Sequence, residues 1–193
     1  ELHFRTTGGH ADWFEQTTTF YYDDDALQTG AIGDSQSTYV QTTVQGPGTL
    51  TFRWKVSSSY SDYLRFLVDG VAKDSISGSY GGWNLESFSI AEGTHTLKWV
   101  YEKNGAYAYG SDCGWLDRVT FSQEAGIVLN RDRLTFGAAA GKRTGDQTFR
   151  IDNSGGGSFD WTVTTDKSWL SCSPSSGTGS GTVTVSADPS GLA

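Results

Sequence analysis

The sequence TLTFRWKV, residues 49–56, alternates strictly between apolar and polar side chains and indicates the class of fold. Its apolar members Leu50, Phe52, Trp54 and Val56 are spaced by two, which is the period at which side chains of a β-strand share one face. The threonines, the arginine and the lysine then point to the other face. We therefore predict a half-buried strand here, with Phe52 and Trp54 in a core.

The rest of the first 122 residues continues this pattern. Residues 95–101, HTLKWVY, alternate in the same way and place Leu97 and Trp99 inward. Asp69-Gly70 separates two strand-like runs and is typical of a two-residue type I′ hairpin. No window has a helical period, and the further predicted strands are residues 17–22, 37–44, 63–68, 71–76, 84–90 and 114–121. About eight strands in ~120 residues predict an all-β jelly-roll or β-sandwich.

A polar segment that ends in glycine, QEAG at residues 123–126, predicts a domain boundary. Beyond it, glycine-rich turns separate further predicted strands at residues 127–136, 147–152, 159–164, 169–173 and 182–186. We therefore predict a jelly-roll domain over residues 1–122 and a smaller immunoglobulin-like β-sandwich over residues 127–193. Trp54 and Trp99 are assigned to the first core, and Trp161 and Trp169 to the second.

Charge is distributed unevenly over the 193 residues. The net charge is -8, and residues 1–122, with 8 basic and 15 acidic side chains, hold most of it. Nucleic acid is a poor partner for such a chain, because affinity for phosphates depends on clustered Lys and Arg. No apolar run approaches the ~18 to 20 residues of a membrane span, so we expect no membrane partner either.

The two cysteines, Cys113 and Cys172, fall one in each predicted domain. Two alternatives are open for them. They pair across the domains if the chain is extracellular, or they are two separate buried thiols, since a free cysteine behaves as a small hydrophobe.

Catalytic patterns are lacking. His3, His10 and His95 have no neighbouring Ser, Cys or Asp in a triad arrangement, and His95 at a strand start is interpreted as a hydrogen-bonded structural histidine. Residues 33–35, Gly-Asp-Ser, match the start of a hydrolase motif that also needs an α/β scaffold and a distal Asp-x-x-His, so a turn is the simpler interpretation. We predict no catalytic residues and no enzyme activity.

The second domain resembles the BACON family, small β-sandwich domains of secreted bacterial proteins whose name records a proposed association with carbohydrate binding. The resemblance is carried by LTF at 134–136, FRIDN at 149–153, WTV at 161–163, SWLS at 168–171, SPSSGTG at 173–179 and TVTV at 182–185. Family members continue beyond the equivalent of residue 193 into a final strand. We therefore expect this domain to lack its last strand, which would leave an unpaired edge.

The first domain resembles a jelly-roll module repeated in large secreted bacterial proteins. The resemblance is carried by Asp25-Ala26, GPGTLTFRWKVS at 46–57, GTHTLKWVY at 93–101 and GWLDRV at 114–119. It implies an extracellular or cell-surface location, and binding or spacing rather than chemistry, although a shared fold alone does not assign a function.

Acidic residues suggest a structural Ca²⁺ site. Asp23, Asp24 and Asp25 concentrate hard oxygen ligands, and Asp23 and Asp25 share one side of an extended chain. Asp112 and Asp117 could supply further ligands from another loop. The alternative is a solvated acidic turn, because the Asp-x-Asp-x-Asp-Gly calcium loop is absent.

Aromatic residues in glycine- and serine-rich loops suggest a glycan-binding site. Sugar rings stack their apolar C–H faces on Trp or Tyr, while Asp and Asn bind the hydroxyls. Tyr107 and Tyr109 would face the same way in an extended chain, and Trp83 could instead cap the core. The predicted ligand-binding residues are Tyr60, Asp62, Tyr80, Trp83, Asn84, Tyr107 and Tyr109.

These observations predict the non-catalytic carbohydrate-binding region of a secreted bacterial multidomain protein, with a polysaccharide or glycan as partner. The alternative is a protein-binding adhesin repeat or a structural spacer appended to a secreted hydrolase or peptidase.

Overall fold

A computed structural model describes residues 2–79, 81–105, 107–137 and 145–188 of the chain. The chain divides into two compact units, Glu1–Gln123 and Glu124–Ala193. Every strand pairing in the described ranges is antiparallel, and no helix occurs there, so the prediction of an all-β protein is confirmed. The same ranges accordingly contain no helix long and apolar enough to cross a membrane.

The first unit contains nine strands. Seven of them form one sheet in the order β3-β4-β9-β5-β8-β6-β7, and the two shortest pair with each other. Their bounds are β1 Thr7–Gly8, β2 Ala11–Asp12, β3 Phe14–Gln16, β4 Ala26–Gln28, β5 Ser37–Ser57, β6 Tyr63–Val68, β7 Val71–Ser77, β8 Asn84–Glu102 and β9 Cys113–Gln123.

The long strands β5 and β8 pair over their whole length and form a ribbon that folds back on itself. Phe52 lies in the second half of β5, and Trp99 of β8 pairs with Val40 in the first half. Twelve residues of extended chain span roughly 40 Å, yet the ring centroids of Phe52 and Trp99 are 5.2 Å apart. The bend lies at a register shift beside Gly46, where a Cβ would overlap the backbone of Ala91. Folding the ribbon produces the two layers of a β-sandwich.

Aromatic side chains fill the space between these layers. Phe52 is fully buried, and its ring centroid lies within 6.0 Å of those of Trp54, Phe66, Phe88 and Trp99. The assignment of Trp54 and Trp99 to this core is therefore confirmed. Trp13 and Trp115, which the sequence pattern left unassigned, are buried as well.

Most strand predictions for this unit are confirmed, and the stretches predicted at residues 37–44 and 49–56 are parts of the single strand β5. Asp69 and Gly70 have φ values of 51° and 80°, as a type I′ turn requires. The strand predicted at residues 17–22 is wrong, because these residues form a loop. Gln16 organises this loop, since its Oε1 accepts hydrogen bonds from the backbone N–H groups of Thr18 and Thr19, both at 2.8 Å.

The second unit is smaller and contains a four-stranded sheet, in the order β10-β11-β15-β13, and a separate pair formed by β12 and β14. The strands are β10 Ile127–Leu129, β11 Gln147–Asn153, β12 Asp160–Thr162, β13 Leu170–Ser173, β14 Ser176–Thr178 and β15 Gly181–Ala187. Strand β10 ends seven residues before the predicted end at residue 136. The expectation of a missing last strand concerns the chain from residue 189 onward, outside the described residues.

The core of the second unit is built around Ile151, Trp161, Val183 and Val185. Trp161 is buried as predicted. The prediction for Trp169 is wrong, because this side chain is only half-buried and lies outside the cluster.

Both cysteines are free thiols. Cys113 is buried, and this burial raises the pKa of its thiol to about 11. Cys172 is half-buried.

Candidate functional site

Three loops meet at one end of the first unit. The N–H of Ser58 donates to the carbonyl of Gly78 at 3.2 Å, which joins the first loop to the second. The N–H of Ser111 donates to Oγ of Ser57 at 2.9 Å, which joins the third loop to the end of β5. We call this assembly the three-loop end, and it comprises the described parts of residues 58–62, 78–83 and 103–112. These hydrogen bonds hold the loops to one another.

Asp62 lies beneath these loops, and its prediction as a ligand-binding residue is corrected by its burial. The side chain is 0% exposed. Its Oδ1 accepts the N–H of Asn104 at 2.9 Å, and its backbone carbonyl accepts a hydrogen bond from the hydroxyl of Ser58. Asp62 therefore positions the first loop against the third and does not reach the surface.

Three of the four predicted tyrosines lie in the described residues, and all three are at the surface. Tyr60 and Tyr109 are exposed, and Tyr107 is 85% exposed. Tyr107 has a φ of 66°, so the extended chain on which its predicted alignment with Tyr109 depended does not form. Tyr80 lies outside the described residues.

Trp83 and Asn84 lie where the second loop enters β8. Trp83 is half-buried, and its ring packs edge-on against Tyr21, with the centroids 6.5 Å apart. It does not belong to the core cluster of the unit. Asn84 is exposed and lines a cleft of about 440 Å³ together with Val56, Ser75, Ile76, Ser77 and Gly82.

Asp117 connects β9 to the loop at residues 17–25, and its role as a metal ligand stays a prediction. The side chain is 7% exposed. Its Oδ2 accepts the backbone N–H groups of Tyr21 at 2.6 Å and Tyr22 at 3.1 Å. This carboxylate therefore fixes the position of the two tyrosines.

Tyr21 and Tyr22 belong to a surface that the sequence analysis missed. The rings are 43% and 48% exposed. The guanidinium of Arg53 lies 3.8 Å from the ring centroid of Tyr21, and that of Arg118 lies 4.5 Å from the centroid of Tyr22. We call these four residues, together with Trp83, the aromatic face. The only local signal was FYY at residues 20–22, which the alternation pattern assigned to a strand.

Arg118 occupies an unusual backbone position. The pairing of β5 with β9 shifts register between Thr51 and Arg53, so that Arg118 and Val119 together oppose Phe52. This is a β-bulge, and Arg118 has a φ of 49° within it. Glycine is the usual residue at a left-handed bulge position, because any Cβ is disfavoured there. The bulge directs an exposed arginine away from the regular alternation of the strand.

A charged cluster occupies the base of the three-loop end. Lys103 is buried and contacts Asp112, while its Nζ lies 3.8 Å from Oδ1 of Asp34. The hydrogen bond with Asp112 is the main reason why the pKa of Lys103 is raised. Burial, with the charge of Asp112, also raises the pKa of Tyr101, whose hydroxyl donates to Asp112 at 3.0 Å. Asp112 is therefore already paired with a cation, and its role as a calcium ligand stays a prediction.

The remaining calcium candidates, Asp23 and Asp25, are not gathered into a metal-binding group. Among the residues that the structure describes, no cluster of three or more His, Cys, Asp or Glu side chains could hold a metal ion. Calcium binding by Asp23 and Asp25 stays a prediction.

His95 makes hydrogen bonds through both ring nitrogens. Its Nδ1 lies 2.6 Å from Oδ2 of Asp69, and its Nε2 lies 3.3 Å from the carbonyl of Glu92. The bond to Asp69 raises the pKa of His95, and the same bond lowers the pKa of Asp69. The ring is engaged in holding the β6-β7 turn, in agreement with a structural role.

Taken together, these elements define an all-β protein with two β-sandwich units. Residues 126–193 match the model of a family described as the viral BACON domain. The second unit is therefore similar to BACON domains over these residues, as its sequence indicated.

Solved structures similar to the chain have low identity. The secreted serine protease VesC from Vibrio cholerae is 17% identical, with a TM-score of 0.47; the match covers 60% of this chain and 25% of the protease. TmCBM61, solved with β-1,4-galactotriose, is 12% identical, with a TM-score of 0.42 and coverage of 63% and 88%. The CBM22-1 xylan-binding domain of Paenibacillus barcinonensis Xyn10C is 14% identical, with a TM-score of 0.39 and coverage of 62% and 83%. The comparison with curated proteins finds no match.

Proposed function

We propose that this chain is a non-catalytic glycan-binding region of a secreted protein and that it holds glycan at the three-loop end. The observation that carries the proposal is the presentation of Tyr60, Tyr107, Tyr109 and Trp83 on loops that are hydrogen-bonded to one another. Exposed aromatic rings are the side chains on which the apolar faces of sugars stack.

The hydrogen bonds between the loops favour binding because they reduce the entropy lost when a ligand orders its site. Asp62 contributes by holding the N–H of Asn104, and Ser57 contributes by holding the N–H of Ser111. A sugar at this end therefore meets aromatic rings whose backbone supports are already in place.

Polar groups suited to sugar hydroxyls adjoin these rings. The cleft beside Trp83 is lined by the polar residues Ser75, Ser77 and Asn84 and by the apolar residues Val56 and Ile76. A few polar groups in a partly apolar cleft are typical of small-ligand sites, which span about 300 to 1,000 Å³.

Two further observations support binding without chemistry. Both ring nitrogens of His95 are engaged in hydrogen bonds, so this histidine is not held ready to move a proton. Residues 126–193 match the viral BACON domain, and the resemblance to BACON domains, whose name records a proposed association with carbohydrate, supports this function.

Affinity electrophoresis of the full chain in gels that contain neutral or acidic polysaccharides tests the proposal. Retardation by at least one polysaccharide is expected, and Trp83→Ala and Tyr109→Ala should each weaken it about tenfold, because a stacking contact and its buried area are lost. Tyr39→Ala, in the first half of β5, removes a tyrosine outside the site and should retain wild-type retardation. Thermal melting checks that each variant is folded.

Two results would count against this function. Absence of retardation on every polysaccharide, with binding to a protein surface instead, would favour the adhesin alternative. Retardation that Trp83→Ala and Tyr109→Ala leave unchanged would remove the three-loop end as the site.

A further inference from the structure

We infer that the aromatic face selects sugars with an anionic substituent, a carboxylate or a sulfate, so that the glycan bound by this chain is an acidic polysaccharide. This inference rests on the proposed glycan-binding function and adds the class of ligand. The aromatic face adjoins the three-loop end through the contact between Trp83 and Tyr21, and a single glycan chain can therefore meet both.

The first observation is a set of cations without acidic partners. Arg53 and Lys55 lie two residues apart on the same face of β5, about 7 Å from each other along the strand, and Arg118 lies in the neighbouring strand. Among the described residues, none of these three side chains forms an ion pair with a carboxylate. In a first unit with 15 acidic and 8 basic residues, these three cations lie on two neighbouring strands.

The carboxylate closest to them in the strand register is already engaged. Asp117 pairs with Arg53 across β5 and β9, yet its Oδ2 accepts the N–H groups of Tyr21 and Tyr22. Asp117 therefore positions the two tyrosines and leaves the guanidinium groups of Arg53 and Arg118 available to a ligand.

The second observation is the geometry of the two arginines. Each guanidinium lies over a tyrosine ring, where the cation is attracted to the negative face of the ring. A guanidinium stacked on an aromatic ring keeps its in-plane N–H groups free to donate to a carboxylate or sulfate in a bidentate manner. The rings of Tyr21 and Tyr22 remain nearly half exposed beside the cations.

The third observation is the backbone of Arg118. An arginine with a φ of 49° at a bulge keeps a conformation that costs about 1 to 2 kcal/mol for residues other than glycine. Strained backbone of this kind concentrates at functional sites, and a bulge redirects a side chain. A cationic side chain at such a position fits a role in contacting an anion.

The net charge of -8 does not exclude a polyanion. At physiological ionic strength the screening length is about 8 Å, so distant carboxylates are largely screened, while groups in direct contact with the ligand are not. Acidic sugars should therefore bind through contacts at the aromatic face.

Two pairs of polysaccharides that differ only in charge test the inference. The first pair is polygalacturonate and the same polymer with its carboxyl groups reduced to alcohols. The second pair is a sulfated galactan and its desulfated form. The dissociation constants of the full chain are measured by isothermal titration calorimetry at 0.15 M salt. We expect at least one acidic member to bind tenfold or more tightly than its neutral counterpart, and the preferred pair identifies carboxylate or sulfate as the recognised group.

Charge-removing variants locate the preference. Arg53→Gln and Arg118→Gln should each reduce affinity for the acidic member about tenfold and leave affinity for the neutral member within twofold. Lys98→Gln is the matched control, because its Nζ lies 3.8 Å from the ring centroid of Tyr39 in a comparable contact away from the aromatic face. It should retain the wild-type preference.

The outcomes separate the two proposals. Equal binding of acidic and neutral members would overturn the acidic-ligand inference and retain glycan binding. An acidic preference that survives both arginine variants would also overturn it, because the preference would arise elsewhere. Absence of binding to all four polymers would overturn the glycan-binding function itself.

Discussion

Replacing Arg118 separates the cost of its backbone from the use of its side chain. The residue has a φ of 49°, a conformation in which alanine is strained and glycine is not. Arg118→Gly and Arg118→Ala both remove the guanidinium and its contact with Tyr22. Arg118→Gly also removes the strain, and we therefore expect it to be the more stable of the two variants.

The expected difference follows from three contributions. The left-handed conformation destabilises the fold by about 1 to 2 kcal/mol for any residue with a Cβ. Arg118→Ala therefore retains this strain, and Arg118→Gly removes it. Replacement by glycine also lowers the free energy of unfolding by about 0.5 to 1 kcal/mol, because glycine makes the unfolded chain more flexible. Loss of an exposed cation–π contact costs either variant about 0.5 to 1 kcal/mol. Arg118→Gly should thus fold with nearly wild-type stability, and Arg118→Ala should be about 1 kcal/mol less stable than Arg118→Gly.

Thermal and urea denaturation followed by tryptophan fluorescence measures this difference, since five of the seven tryptophans lie in Glu1–Gln123. For a unit of this size, 1 kcal/mol corresponds to about 3 to 6 °C in Tm. Binding of the acidic polysaccharide should fall equally in both variants. If Arg118→Ala is as stable as Arg118→Gly, Arg118 is not held in a left-handed conformation and the argument from strain is refuted.

The remaining predictions concern interactions that support the site. Asp117→Ala should lower the free energy of unfolding by about 2 to 4 kcal/mol in urea denaturation, because two N–H groups lose a charged acceptor, and Asp117→Asn should recover part of it. Lys103→Met should cost about 3 kcal/mol by the same measurement, since it leaves Asp112 without its cation. NMR titration should place the pKa of His95 above 6.5, and Asp69→Asn should return it towards that value. The stabilisation from this pair is then present below pH 6.5 and is lost as pH rises through the raised pKa of His95. The calcium prediction requires a lower Tm in EDTA, and an unchanged Tm contradicts it.

The strands of the first unit could be predicted because their signal is local. Alternation at residues 49–56 and 95–101 reflects burial on one side of each strand, and Asp69-Gly70 specifies a turn through its own backbone preferences. The fold-back of β5 could not be predicted in this way. Its only trace in the sequence is Gly46. A glycine is required there because the backbone of Ala91, in another strand, lies where a Cβ would be.

The exposure of some candidate site residues could be predicted for the same reason. Tyr60, Tyr107 and Tyr109 lie among glycines and serines, and such loops are exposed, as the structure shows. Asp62 has the same local setting as Tyr60, yet it is buried because Asn104, distant in sequence, donates to it. Local composition predicts exposure of a loop, but it does not predict which of its polar side chains turns inward to hold a neighbouring loop.

The aromatic face shows most clearly how the arrangement of a surface depends on residues that are distant in sequence. The alternation of residues 17–22 favoured a strand. A loop forms instead because its N–H groups donate to Oε1 of Gln16 and to Oδ2 of Asp117, which is about 95 residues away. Asp117 carries no signal of its own, since its role is to accept two N–H groups beneath Tyr21 and Tyr22. The bulge that follows it then turns Arg118 towards the ring of Tyr22. One short segment of β9 therefore positions both the aromatic rings and a cation, so a substitution at Asp117 should affect glycan selectivity although its side chain is buried from any ligand.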